Sequence, residues 1–337
     1  MKTYIEKVAS QSDLSLEEME AASAQLFDEN VDELQKAGFL MALRTKGETV
    51  DELTGLAKVM QKVAVQLPRQ LPDVMDNCGT GGDGSQSFNI STTSAFVLAG
   101  AGVTVAKHGN RSISSRTGSA DVLEALGVHL SASPEEMTEL LEKNRIAFLF
   151  AQQMHPSMKA VMPARRRLGV PTIFNLIGPL TNPVDLSAQL IGVYRKDALH
   201  DVGQVLRQLG RKRAVVVHGH GGMDEASLSG PNSCILVTET GLEPFDLSPE
   251  ELGLKRAQNE DLRGGDAEEN ARILRNILEG EKGPRRDVVL LNAALGLMAS
   301  GKAATPRDGL ILAEESINSG RALAALDYLI TYGKGDR

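Results

Sequence analysis

Residues 73–110 read DVMDNCGTGGDGSQSFNISTTSAFVLAGAGVTVAKHGN, and this stretch decides the fold. The apolar pair Val74-Met75 runs into glycines at 79, 81, 82 and 84; a helical segment over 90–101 follows; Val103-Thr104-Val105 then forms a second β-branched run. Strand, loop, helix and strand in that order make a crossover unit, which implies parallel strands. In parallel sheets with helical crossovers, ligands sit beyond the carboxyl ends of the strands. The loops after the two runs, 79–84 and 107–119, are therefore the candidate site.

The alternation continues outward. A helix is predicted over 118–126, and strand-like runs occur at Ile146–Phe150, Leu190–Tyr194 and Ala214–Val217. The stretch 241–265 has the least periodicity and predicts an irregular surface connection, while 266–280, 285–300 and 306–335 predict helices. The first 70 residues predict a small all-helical domain, with capping-box spacing at Ser15-Leu16-Glu17-Glu18 and at Thr49-Val50-Asp51-Glu52. After the second box, Val50, Leu53, Leu56, Ala57, Met60, Val63, Ala64 and Leu67 recur at helical spacing until Pro68 and Pro72 stop the run. That apolar face serves either packing or a dimer contact.

At 337 residues the chain is long enough for about two domains, and 42% hydrophobic residues supply a sizeable core. No apolar run approaches the ~20 residues of a membrane span. The N-terminus, MKTYIEKVASQSDLSLEE, has no apolar signal core, and Cys78 and Cys234 are too few for a disulfide framework. A cytoplasmic location is the expectation. The net charge of -8 disfavours generic nucleic-acid binding.

Gly79-Thr80-Gly81-Gly82-Asp83-Gly84 lets backbone amides converge on an anion. Asn89-Ile90-Ser91-Thr92 opens the next helix, where Asn89 or Ser91 is placed to cap and free amides attract phosphate. The spacing matches neither a Walker A loop nor GxGxxG. Lys107-His108-Gly109-Asn110-Arg111-Ser112-Ile113-Ser114-Ser115-Arg116-Thr117-Gly118-Ser119 adds cations, an amide and hydroxyls at the neighbouring strand end. Asp224-Glu225 follows the glycines of His218-Gly219-His220-Gly221-Gly222; beside a phosphate site, adjacent carboxylates suit magnesium, whereas alone such a pair is usually solvated. His218 and His220 read as loop residues, since two histidines make no zinc site.

GTGGDG, NIST, KHGNR and GGMDE, in this order and spacing, strongly resemble the anthranilate phosphoribosyltransferase family, from about residue 73 to the C-terminus. HPSMKAVMPARRRLGVPTIFNLIGPLTNP resembles the family's second substrate segment. The resemblance implies an α/β fold of the nucleoside phosphorylase/phosphoribosyltransferase type. Its large domain, 71–337, has a mostly parallel sheet flanked by helices; its small helical domain, 1–70, is joined by helices from about 160–180. It also implies a homodimer through the helical domain, with no nucleic-acid or membrane partner.

The implied donor, 5-phosphoribosyl 1-pyrophosphate, falls to Gly79, Gly82, Asp83, Ser87, Asn89, Ile90, Ser91, Thr92, Lys107, His108, Gly109, Asn110, Arg111, Ser112, Ser115 and Ser119. The implied acceptor, anthranilate, falls to Gly79, His108, Asn110, His155 and Arg165, and Mg2+ to Ser91, Asp224 and Glu225. Asn77 and Cys78 sit where family variation is expected and carry little weight.

The implied reaction displaces pyrophosphate from the anomeric carbon by an aromatic amine. An anilinic nitrogen is neutral near pH 7, so the difficulty lies in the leaving group and in charge developing on the ribose. Metal and amide donors answer the first, positioning of two substrates the rest. No covalent nucleophile is expected, and Cys78 is not one. Arg165, first of Arg165-Arg166-Arg167, has the planar fork that grips a carboxylate. His108 is either a proton acceptor after bond formation or a hydrogen-bonding loop residue; His155 either lines the acceptor's entry or is packed. Two other readings are a pyrimidine nucleoside phosphorylase, whose chains are generally longer with a different glycine loop, and a non-catalytic nucleic-acid binder, which the acidic balance opposes.

Overall fold

A computed structural model of the protein describes residues 1–112 and 116–332. The N-terminal part is four helices, α1 (Lys2–Ala9), α2 (Leu16–Leu26), α3 (Glu33–Lys46) and α4 (Val50–Val63). The rest alternates: β1 (Val74–Gly79), α5 (Ile90–Gly100), β2 (Thr104–Gly109), α6 (Ser119–Ala125), α7 (Pro134–Asn144), β3 (Ile146–Phe150) and α8 (Ala151–Met154). Then come α9 (Met162–Leu168), α10 (Phe174–Ile177), β4 (Ala188–Gly192), α11 (Ala198–Gln208), β5 (Arg213–His218), β6 (Asn232–Thr238) and β7 (Leu242–Leu247). Four helices finish the chain, α12 (Ala267–Leu278), α13 (Pro284–Ala299), α14 (Pro306–Asn318) and α15 (Arg321–Tyr332).

The sheet runs β3-β2-β1-β4-β5-β6-β7, parallel from β3 to β5 and antiparallel from β5 to β7. Its two faces are buried in different cores, and the strand period of two sorts the side chains between them. Leu190, Val215, Val217 and Leu236 meet α5, α12, α13 and α15. Ile191, Val193, Val216 and Ile235 meet α11 and the helical bundle. The bundle is completed by chain from the far side of β3: Lys36 Nζ donates to the Ala160 carbonyl at 2.8 Å, and Gln61 Nε2 to that of Leu180 at 2.8 Å. Phe174 and Ile177 pack in the same core as Phe39 and Leu56.

Three expectations need correction. The stretch 241–265 is not wholly irregular, because Leu242–Leu247 forms the edge strand β7. Pro244 lies in it, which an edge strand tolerates. The single helix expected over 306–335 is two, α14 and α15, broken where Gly320 takes φ 78°. The α4 helix ends at Val63, ahead of Pro68, because Ala64 is already extended; Leu53, Leu56, Ala57 and Met60 are buried as the pattern required, while Val63 stays exposed.

Both capping boxes form. The second is the deeper one. Glu52 is fully buried and accepts from the Leu14 and Thr49 amides at 3.0 and 2.9 Å and from Lys46 Nζ at 3.0 Å. One carboxylate therefore caps α4, fixes the start of α2 and neutralises a buried ammonium. Lys46 keeps Asp13 at 2.7 Å, but the Leu14 and Thr49 amides lose their acceptor, so Glu52→Ala costs about 2 kcal/mol in urea unfolding. Glu18→Ala, at the same position of the exposed box, costs clearly less; equal losses would contradict this reading of Glu52.

Candidate active site

The carboxyl ends of β1, β4 and β5 each finish on or just before a glycine: Gly79, Gly192 and Gly219. A Cβ on Gly79 would collide with the Asp224 carboxylate, one on Gly192 with the Asp224 carbonyl, and one on Gly219 with the Glu225 carbonyl. The segment Met223–Glu225 is thus laid directly across the strand ends. Gly221 and Gly222, at φ 78° and 84°, turn the chain back so that the Gly219 amide bonds the Met223 carbonyl at 2.9 Å. From below, Asn292 clamps Ala226 through its amide and its carbonyl, each at 2.9 Å. The missing Cβ of Gly79 thus makes room for the Asp224 carboxylate.

The glycine loop closes on the same segment. Gly81, Gly82 and Gly84 have φ of 74°, 81° and 72°, a region side chains avoid. This shape points the Gly81 amide at Asp224 Oδ2, 2.6 Å away, and sets Asp83 Oδ2 3.4 Å from the Asp224 amide. Asp83 Oδ1 meanwhile accepts from the Ser85 amide and hydroxyl, both at 3.0 Å. The loop is then stitched down by a Ser87–Arg263 bridge and by the Phe88 amide on the Leu262 carbonyl.

Helix α5 starts here without the side-chain cap expected of Asn89 or Ser91. Asn89 is spent elsewhere: its Nδ2 donates to the Thr117 carbonyl at 3.1 Å and its Oδ1 accepts from Asn270 at 3.0 Å. The Ser91 amide instead donates to Glu225 Oε1 at 3.2 Å, so a carboxylate from another loop occupies the helix start. Ile90 and Thr92 are buried, which leaves the Ile90 side chain no ligand role.

Asp224, Glu225 and Asp83 converge, and burial with repulsion raises Asp224 and Glu225. Desolvation, then Glu225, then Asp83 push Asp224 well above the carboxylate range. Glu225 is raised by burial, partly offset by Lys107 and the Ser91 hydroxyl. Such a pair invites a cation. Among the described residues no three His, Cys, Asp or Glu side chains form a complete metal-holding group. Two carboxylates and a hydroxyl do fit Mg2+, which keeps waters and takes further oxygens from a substrate phosphate.

Lys107 is buried at the end of β2, its Nζ 2.6 Å from the Asn77 carbonyl. Asn77 also donates from Nδ2 to the Ser91 carbonyl at 2.8 Å, so this residue, given little weight from sequence, joins the lysine to the start of α5. Asp76 and Asn182, both fully buried beside it, were not singled out at all. Cys78 is surrounded by the same groups; burial first, then Asp76, push its thiol far up, a poor setting for a nucleophile.

Arg111 is tied into ion pairs with Asp121 at 3.0 Å and Glu124 at 2.7 Å, and lies over the Phe150 ring. The Ser112 amide also reaches Asp121, at 3.1 Å, and Ser119 Oγ reaches the Asn110 carbonyl at 3.3 Å beside Gly109. Asn110 Oδ1 accepts from the Arg111 amide at 2.8 Å. Ser115 lies outside the described residues.

On the other side of β2, the rings of His108 and His155 meet edge to face, 5.2 Å between centroids. Both are buried, and His108 Nε2 and both ring nitrogens of His155 lack a hydrogen-bond partner. Burial, and then His155, bring His108 down to about 3, while burial brings His155 to about 4. Both imidazoles are therefore neutral at pH 7. Arg165 on α9 stacks over Phe174 at 4.9 Å, and burial lowers its pKa. Among the described residues no carboxylate pairs with it, whereas Arg167 pairs with Glu33 at 3.2 Å.

Two descriptions of one family match the chain: the glycosyl transferase family, a/b domain, over residues 71–323, and its helical bundle domain over residues 2–64. An anthranilate phosphoribosyltransferase from Exiguobacterium sibiricum is 59% identical over 98% of this chain and 97% of its own. The crystal structure of the Thermus thermophilus enzyme of that name superposes with a TM-score of 0.93 at 43% identity, covering 98% of this chain and 99% of the other. The Saccharomyces cerevisiae enzyme in complex with PRPP and Mg does so with a TM-score of 0.90 at 30% identity, covering 99% and 98%.

If the strand-end glycines seat the carboxylate pair, Gly192→Ala displaces Asp224 with little change to the core. Activity then falls by about a hundredfold, the scale of one lost transition-state contact. Circular dichroism stays native. Full activity in Gly192→Ala would show that the segment has room to spare.

Proposed function

The chain belongs to the anthranilate phosphoribosyltransferase family, and from that membership we propose how its residues divide the reaction. The protein transfers the 5-phosphoribosyl group of 5-phosphoribosyl 1-pyrophosphate to the amine of anthranilate, releasing pyrophosphate, a step of tryptophan biosynthesis. The observation that carries the residue assignment is the Asp224–Glu225 pair held against the amides of Gly81 and Ser91.

The pyrophosphate rests on the loop of Gly79, Gly82 and Asp83, with Lys107 supplying a fixed positive charge. Ser87, Asn89, Ile90, Ser91 and Thr92 meet the donor at the start of α5, Ile90 through its backbone only. His108, Gly109, Asn110, Arg111, Ser112, Ser115 and Ser119 form the ribose and phosphate side. Arg111 reaches the donor only by leaving Asp121 or Glu124. Ser91, Asp224 and Glu225 would hold Mg2+, which when bound neutralises charge on the departing pyrophosphate.

Anthranilate lies between Gly79, His108, Asn110, His155 and Arg165. The stacked, unpaired Arg165 guanidinium takes the carboxylate. The neutral His108–His155 pair lines the amine, and His108 accepts its proton once the new bond forms. A weak base suffices there, because a protonated aniline is itself a fairly strong acid. No step calls for a covalent nucleophile.

A homodimer through the helical bundle accounts for Leu34, 71% exposed on α3, and for the exposed Val63 and Val170 of the same layer. A cytoplasmic location suits the two free cysteines. No described helix is long and apolar enough to cross a membrane.

Steady-state kinetics test the assignment. Arg165→Ala raises the KM for anthranilate by about ten- to a hundredfold, the range for losing a charged hydrogen bond, and leaves the donor KM within about twofold. An unchanged anthranilate KM would remove Arg165 from the acceptor site.

A further inference from the structure

The ladder between β1 and β2 is only two residue pairs long, Val74 with Thr104 and Met75 with Val105. Beyond Met75 each strand stays paired on its outer edge: β1 with β4 as far as Gly79, and β2 with β3 as far as Gly109. The strands therefore part on their shared edge just below the site. Ladder groups that part in a buried place need other partners.

Three side chains supply them. Asp76 Oδ1 accepts from the His108 amide at 3.3 Å. Asn182 Nδ2 donates to the Ala106 carbonyl at 2.8 Å and to Asp76 Oδ2 at 3.0 Å, while its Oδ1 accepts from the Val184 amide at 3.0 Å. Lys107 Nζ crosses the gap to the Asn77 carbonyl at 2.6 Å. The backbone groups on either side of Lys107 are thus gripped by Asp76 and Asn182, which belong to other segments. Every partner of Asp76, the Cys78 thiol at 3.7 Å included, is a donor, as a carboxylate requires.

We propose that Asp76, acting with Asn182, is a positioning residue for donor binding: the pair replaces the missing β1–β2 ladder and sets the Lys107 ammonium at the strand end. The proposal rests on the reading of Lys107 as a donor ligand. Asp76 touches no substrate. Its carboxylate is also a buried counter-charge for the lysine: burial raises the Asp76 carboxyl, and Lys107 is the largest influence lowering it. The two form no direct ion pair among the described residues, so the ammonium stays available to an incoming anion. Asn182 adds a second consequence. It lies in the segment whose Gly178 and Thr181 backbones face His108 and His155, so one amide side chain ties the acceptor wall to the donor strands.

The experiment compares Asp76→Asn, Asn182→Ala and Lys107→Ala, with KM for both substrates and a thermal melt for each. Asp76→Asn is close in shape but removes the charge and sets two amide nitrogens face to face. It raises the donor KM about tenfold, the scale of one charge-assisted hydrogen bond, and leaves the anthranilate KM within about threefold. Asn182→Ala keeps the charge and removes the bridge together with the Val184 contact, so its donor KM rises by a smaller factor, about threefold. A general loss of packing would instead lower kcat or raise both KM values together. A folded Asp76→Asn enzyme with an unchanged donor KM, or with both KM values raised alike, overturns the proposal. If Asp76→Asn does not fold, an unchanged donor KM in Asn182→Ala overturns it. Lys107→Ala separates the two levels: an unchanged donor KM there removes the donor reading itself, whereas a large rise beside a silent Asp76→Asn removes only the role of Asp76.

Discussion

Two carboxylates that repel each other are pressed against the ends of three strands, and the rest of the site is arranged around that fact. Gly79, Gly192 and Gly219 carry no side chain, so the Asp224–Glu225 segment can lie where a Cβ would block it. The Gly81 and Ser91 amides then bond the acids from two sides. Neither amide nor burial satisfies two negative charges; burial raises both. A divalent cation with a phosphate ligand is what completes such an arrangement.

The two substrate sides are built by opposite physics. The side proposed for the donor is charged and dense in hydrogen bonds, with Lys107, Asn77, Asp76 and Asn182 locked together in the gap between β1 and β2. The side proposed for the acceptor is two imidazoles kept neutral by burial and a guanidinium stacked on Phe174. The first suits a polyanion whose charge must be held still, the second a flat aromatic acid. Positioning both at one strand edge is the larger part of the chemistry, since the amine needs no activation.

Local signals in the sequence carried much of this. The capping boxes at Ser15 and Thr49 formed because their partners are three residues away, and the strand–helix alternation from Val74 to Val217 gave the parallel sheet. Signals that depend on distant chain failed. Asn89 has a capping residue's character, yet Thr117 and Asn270 compete for its side chain and take it. The edge strand Leu242–Leu247 has a proline and buries only Leu247, so it carries little hydrophobic pattern. Gly79 read as a ligand glycine and Gly192 was passed over inside a strand, and only the fold shows that Asp224 lies against both. Asp76 and Asn182 bond backbone groups where two strands part, which no motif records.

The central claim is that the glycine-seated carboxylates grasp the donor through a divalent ion. Isothermal titration of 5-phosphoribosyl 1-pyrophosphate into the protein, with Mg2+ and then with a chelator, tests it directly. The account predicts that removing Mg2+ weakens donor binding by at least about tenfold, or 1.4 kcal/mol. Equal affinity in the two conditions would contradict it.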